Sequence, residues 1–317
     1  MINGQGAAER AFTGPTPTTA VLGAIEEHMP RHGKNADRPA LIDAADGRSL
    51  TYAEIASVVP AASAGLARRG VRTGDVAAVY VSTARELTLA VHALAAAGAV
   101  PAPMPPTAGA DELADRLTGC GARLLMTAPP LGETALAAAD RSFVRQVFAL
   151  GNLPGATSFG ELLGAGGPRP HIDPLRDHAL VVDDPPERLT HADRLADLYR
   201  LAAGVAIDSG DVLVAVAADC PVATWIGLID VALLRGATFV AVPRTGAAGS
   251  APLLRAIETY AATLAVVSPA TLKILAYDGA VMPPPQLGLR VLVTGPAPIE
   301  IVRACRRRYD WSIDTLV

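Results

Sequence analysis

The 317-residue chain is 50% hydrophobic and 18% charged, with a formal net charge of −4. This composition excludes a disordered chain and leaves no basic footprint for nucleic acid, while the length fits two domains or one large α/β domain. No apolar run approaches the length of a membrane span, so neither a membrane nor a nucleic acid is an expected partner.

In chain order, residues 1–20 read as a polar tail, residues 22–29 as a short helix and residues 39–43 as a strand. Asp46-Gly47 then predicts a hairpin turn before residues 49–52, because Asp-Gly occupies positive-φ positions at low cost. Thr51 and Glu54 have the spacing of a capping box, and the following helix carries Ile55, Val59, Ala62 and Leu66 on one face. Gly70 ends it, and Pro60 predicts a kink or a shorter helix.

From Gly74 the chain alternates strands (76–81, 99–102, 123–127) with helices (85–97, 111–118). Continuous apolar strands between amphipathic helices indicate a parallel sheet covered on both faces. Residues 150–173, rich in Gly and Pro, predict a surface loop. After a short apolar strand at residues 179–182, six residues lead to Leu189, Thr190 and His191, which read as a helix start reached by a plain strand-to-helix turn. His191 is expected to cap or pack there.

The phrase then repeats. Gly210-Asp211-Val212 matches Gly74-Asp75-Val76, Arg235-Gly236-Ala237 matches Ala97-Gly98-Ala99, and residues 264–268 match residues 123–127. This predicts two similar doubly wound units: an N-terminal helix and hairpin segment (21–73) packing with the second unit, a first βα unit (74–205) and a second (206–317). Pro283, Pro284 and Pro285 make a stiff connection before a strand at 290–294, and Gly295, Pro296, Ala297 and Pro298 turn into a helix at 299–308. Residues 311–317 read as one more strand.

No catalytic set stands out from spacing alone. There is no G-x-S-x-G elbow, Walker A sequence or G-x-G-x-x-G after a strand. Six scattered histidines show no metal spacing, and Cys120, Cys220 and Cys305 read as buried free thiols of a cytoplasmic protein. Gly246 to Ser250 reads as a flexible loop, and Arg306-Arg307-Arg308 as a solvated helix face.

The ordered segments ALIDAADGRSLTYAEIASVVPAASAGLARRGVRTGDVAAVYV and AAAGAVPAPMPPTAGADELADRLTGCGARLLMT resemble the opening of the adenylate-forming enzymes. That group comprises acyl-CoA synthetases, 4-coumarate–CoA-type ligases and peptide adenylation domains. The resemblance implies an N-terminal domain of two similar, mainly parallel βα subdomains, and chemistry in which ATP activates a carboxylate before transfer to a thiol.

Family members place a Ser/Thr/Gly-rich phosphate loop before a Leu-Thr-His-type helix start. Here the flanks ALVV and LTH remain, but Asp183, Asp184, Pro185, Pro186 and Arg188 occupy the position. The carboxylates repel a polyphosphate, the prolines supply no N–H, and Arg188 is the isolated cation. The resemblance also places Thr224, Trp225 and Gly227 near an acyl pocket, and Gly295, Pro296, Ala297 and Pro298 at the adenine-side turn. The Tyr-Gly-x-Thr-Glu segment, the ribose-binding Asp and the C-terminal domain with its catalytic Lys would follow residue 317.

The expectation is therefore a catalytically impaired acyl-CoA-synthetase-like protein that serves as a binding or scaffold partner of a biosynthetic enzyme or carrier protein. It would have no catalytic residues, no metal and no bound cofactor, and could self-associate through its C-terminal end. Two alternatives stand beside it: half of a split ligase using ATP and Mg when completed in trans, or a binder of acyl groups or aromatic acids that does not use ATP.

Overall fold

The computed structural model describes residues 15–28, 37–164, 166–167, 170–182, 185–217, 219–243, 250–277 and 288–316. The start of the expected tail, Met29, Asp183, Asp184, Gly246 and the triple proline lie outside these residues.

The elements run α1 (Pro17–His28), β1 (Pro39–Asp43), β2 (Ser49–Thr51), α2 (Tyr52–Arg68), β3 (Val76–Tyr80), α3 (Ala84–Ala96), β4 (Val100–Pro103), α4 (Ala110–Cys120) and β5 (Leu124–Thr127). They continue α5 (Gly132–Ala139), β6 (Gln146–Ala149), β7 (Thr157–Ser158), β8 (His178–Val182), β9 (Glu187–Thr190), α6 (His191–Val205), β10 (Val212–Val216), α7 (Val222–Arg235) and β11 (Thr238–Val242). The last are α8 (Ala251–Thr259), β12 (Leu264–Val267), α9 (Pro269–Tyr277), β13 (Arg290–Val293), α10 (Ile299–Tyr309) and β14 (Ser312–Thr315).

Two main sheets form, with strand orders β4-β3-β5-β6-β7 and β14-β13-β12-β10-β11-β1-β2. Read from β11, the second sheet repeats the order of the first, so the sequence repeat is a repeat of topology. All pairings in these sheets are parallel except the β1–β2 hairpin, and β1 joins β11 in parallel. The reason for continuous apolar strands is visible in β10. Leu213 and Ala215 face one buried cluster and Val214 and Val216 the other, so neither side meets water.

Local signals explain the helix starts. Thr51 Oγ accepts from Glu54 N at 3.1 Å while Glu54 Oε2 accepts from Thr51 N at 2.7 Å, completing the predicted capping box. Pro60 does not break α2, which runs through it. It lies on the exposed side, where solvent can serve the carbonyl that loses its donor. At the other end of the expected tail, α1 already begins at Pro17 and buries Val21 and Ile25 completely.

The region expected as a loop at residues 150–173 also has structure. It contains β7 and a 3₁₀ turn, Phe159–Leu162, that docks on α2. Leu162 is fully buried and Phe159 nearly so. Gly65 permits this approach: a Cβ there would lie 2.6 Å from the Leu162 Cα. Helix α6 packs against the second unit through Leu198, Ala202 and Val205, which share a buried cluster with Leu228 and Val231 of α7.

Candidate functional site

The carboxyl ends of β10, β12 and β13 converge where the strand order reverses about β10, a position at which open α/β sheets form crevices. Asp219, just past β10, ties the loops together. Its Oδ2 accepts from Ser268 N at 2.9 Å, its Oδ1 from Thr271 Oγ1 at 2.9 Å, and its backbone oxygen from Thr294 Oγ1 at 2.7 Å. Next to Thr294, Gly295 holds φ +149°, beyond the comfortable range of L residues, and Pro298 precedes the first turn of α10. The turn of Gly295, Pro296, Ala297 and Pro298 is thus fixed at the sheet's carboxyl edge.

Beside that turn a cavity of about 270 Å³ opens between α6 and α7. Thr224, Gly227, Thr294, Leu198 and Leu201 line it, with Arg194 and the Asp197–Arg200 ion pair (2.5 Å) among the polar groups. Gly227 keeps the helices close, since a Cβ there would sit 2.9 Å from Leu201 Cδ2. Two of the three expected acyl-pocket residues, Thr224 and Gly227, therefore share one cavity.

Trp225 does not join them. It stands edge-on to Phe239, with ring centroids 5.2 Å apart, and contributes to a separate cleft of about 440 Å³ between the two sheets. Helical geometry accounts for the separation. Successive residues are turned about 100° from each other, whereas positions 224 and 227 return to nearly the same face.

Val79, Leu87, Met104 and Val242 are among the residues that line that larger cleft, with Ser82, Thr83 and Arg116 among its polar groups. Asp43 stands at its margin, accepting a hydrogen bond from Ala84 N at 3.0 Å and facing Arg85 Nε at 3.3 Å. Burial outweighs these favourable contacts and pushes its carboxyl up to about 6.

The segment expected to be a strand-to-helix turn is a hairpin instead. Residues 187–190 form β9, paired antiparallel with β8, before α6 begins. Thr190, rather than His191, caps α6, with its Oγ accepting from Asp193 N at 3.1 Å. His191 is buried with both ring nitrogens lacking a hydrogen-bond partner, and burial lowers its imidazole to about 4.

At the hairpin tip Pro185 and Pro186 are exposed, and Pro186 borders a hollow with Glu112, Asp115 and Arg116 of α4. Arg188 Nη2 reaches Cys120 O at 3.4 Å. Proline nitrogens give no hydrogen bond to an anion, and beside the tip Glu112 is paired with Arg116 Nε at 3.0 Å while Asp115 adds a further carboxylate. Among the described residues no group of three or more His, Cys, Asp or Glu could hold a metal, and no helix is long and apolar enough to cross a membrane.

Residue patterning also missed a buried polar chain. Thr18 Oγ1 lies 3.0 Å from His92 Nδ1, His92 Nε2 3.1 Å from Asp230 Oδ1, and Asp230 Oδ2 3.3 Å from Arg194 Nη2. All four residues are buried, and they come from α1, α3, α7 and α6. A signal was present: Asp230 interrupts the otherwise apolar run IGLIDVALL, and a buried carboxylate requires a partner.

The family model described as AMP-binding enzyme matches residues 29–165. 4-coumarate–CoA ligase 3 of Oryza sativa subsp. japonica is 33% identical over 128 residues, which is 40% of this chain and 23% of its own length. The 4-coumarate–CoA ligase of Pinus taeda is 27% identical over 134 residues, 40% of this chain and 24% of its own. Among solved structures, a long-chain-fatty-acid–CoA ligase from Archaeoglobus fulgidus aligns with TM-score 0.78 and 20% identity, covering 95% of this chain and 63% of that one. Apo MbtA from Mycobacterium smegmatis aligns with TM-score 0.72 and 25% identity over 93% and 55% of the two chains. The chain thus spans about a quarter of the plant ligases in sequence and under two thirds of these structures in fold.

Proposed function

We propose, from the premise that this chain is a member of the adenylate-forming superfamily, that it binds a small carboxylic or acyl ligand and by itself forms no adenylate from it. The observation that carries this reading is the hairpin tip between β8 and β9. Where the family places a phosphate loop, this chain presents Pro185 and Pro186, and the cation of the segment, Arg188, is directed to a backbone carbonyl on α4. Adenylyl transfer depends on donors that stabilise charge developing on the phosphates, and prolines at the tip supply none.

The acid-binding half of the reading is supported by the cavity of Thr224, Gly227 and Thr294 beside the Gly295 turn, which remains open although the phosphate side is altered. A bound acid would pass to a carrier protein or a neighbouring biosynthetic enzyme, making the chain a cytoplasmic binding or scaffold partner.

The test is ATP–pyrophosphate exchange by the isolated chain with Mg and a panel of carboxylic acids, run beside thermal-shift titrations with the same acids. The expected result is no exchange above background and a rise in Tm with at least one acid. Robust exchange would overturn the reading, as would the absence of a shift with every acid.

A further inference from the structure

Arg194 is the one cation of the 270 Å³ cavity that is buried, because Arg200, at the rim, is exposed and engaged by Asp197. A guanidinium carries five N–H donors in a rigid fork suited to carboxylates. Among the described residues Arg194 makes two hydrogen bonds, Nη1 to Ala223 O and Nη2 to Asp230 Oδ2, both at 3.3 Å. A guanidinium–carboxylate bond normally closes to about 2.7–2.9 Å, so the contact with Asp230 is a long one.

Asp230, the only carboxylate paired with Arg194 among the described residues, is also shared. Its second oxygen faces His92 Nε2 at 3.1 Å, and the His92 ring is in turn backed by Thr18 at 3.0 Å. The result is a buried guanidinium with unused donors at the wall of a small cavity whose other surfaces, Leu198, Leu201, Pro221 and Gly227, are apolar or uncharged. The acidic group at the rim, Asp197, is neutralised by Arg200.

The geometry points to Arg194 as the residue that anchors the ligand's carboxylate, selecting a small monocarboxylic acid with a compact apolar body over its neutral analogue. The acid's head forms hydrogen bonds to the guanidinium N–H groups that Asp230 and Ala223 leave free, and its body lies against Leu198 and Leu201. The chain Thr18–His92–Asp230 acts one step back, fixing the orientation of Arg194, so Asp230 and His92 are positioning residues. This inference rests on the acid-binding reading above and adds the group that recognises the acid.

The experiment is calorimetric titration of the full chain with benzoate and hexanoate and with their primary amides, on the wild type, Arg194→Gln and Thr224→Trp. The wild type should prefer acid to amide by about tenfold or more, the worth of one charge-assisted anchor. Arg194→Gln should bring the acid down to the amide's affinity without weakening the amide, and Thr224→Trp, which fills the cavity, should abolish both.

Equal binding of acid and amide by the wild type, or a preference that survives in Arg194→Gln, would overturn the assignment while leaving an acid-binding cavity intact. Binding of no acid or amide would instead overturn the acid-binding reading itself. Because Arg194→Gln disturbs a buried pair and could fail to fold, a crystal structure of the wild type with 4-bromobenzoate supplies an independent readout. Its bromine is expected near Leu198 and Leu201 with the carboxylate in hydrogen-bond reach of Arg194, and a carboxylate placed elsewhere refutes the proposal.

Discussion

Two buried groups should make the acid response of this protein legible one residue at a time. His191 titrates near 4 in the folded chain against an ordinary 6.5, so the unfolded state takes up its proton first. The stability it contributes is complete above pH 6.5 and is lost as pH falls through 4. The whole shift corresponds to about 3 kcal/mol. Asp43 has the opposite sign: its carboxyl rises from 3.8 to about 6, so the folded state takes up the proton first. Its contribution, again about 3 kcal/mol, is complete below pH 3.8 and is lost as pH rises through 6.

Across pH 4–6.5 the two effects nearly cancel in the wild type, and each single variant should expose the other. His191→Phe should lose less stability than the wild type between pH 7 and 4, by roughly 3 kcal/mol, and Asp43→Asn should lose more by a similar amount. Urea titrations at half-unit pH steps, compared as differences from the wild type, measure this directly. If both variants follow the wild-type profile, neither group is held in the environment described.

Three further substitutions or treatments test the packing. Gly65→Ala would drive a methyl into the Leu162 backbone; overpacking of about 1–3 kcal/mol should exceed the helix-propensity gain of about 1 kcal/mol, lowering the urea midpoint. Trp225→Ala removes the edge contact with Phe239 and should cost about 3–5 kcal/mol by the same measurement, while acid binding in the separate 270 Å³ cavity persists. Burial holds Cys220 up to about 12 and Cys305 up to about 11, so the folded protein at pH 8 should react with iodoacetamide far more slowly than after unfolding in urea.

The sheet strands were readable because their environment is uniform: residues buried on both faces leave unbroken apolar runs, as in β10 and β11. β9 was not readable for the converse reason. Glu187 and Arg188 are exposed on a short strand paired on one side alone, so no apolar pattern marks it. At the site, Thr224 and Gly227 could be grouped from the segment they share, yet Trp225 lay one position away and a third of a turn around the helix. In the Thr18–His92–Asp230–Arg194 chain the direct partners His92 and Asp230 are 138 positions apart. Spacing along the sequence carries no trace of such a meeting, and only the charge left inside an apolar helix hinted at it.

The parallel pairing of β1 with β11 has a consequence for how the chain is made. Pro39 and Thr238 are 199 residues apart, yet Thr238 Oγ1 donates to Pro39 O across that pairing. At a synthesis rate of roughly 5–20 residues per second, the β1–β2 hairpin leaves the ribosome on the order of 10–40 s before its partner strand exists. The first sheet, complete by Ser158, can close meanwhile. Until the partner strand exists, the hairpin and α1 wait with Leu41 and Ile25 lacking the part of their buried cluster that α7 and β11 supply, an interval in which exposed apolar surface favours aggregation.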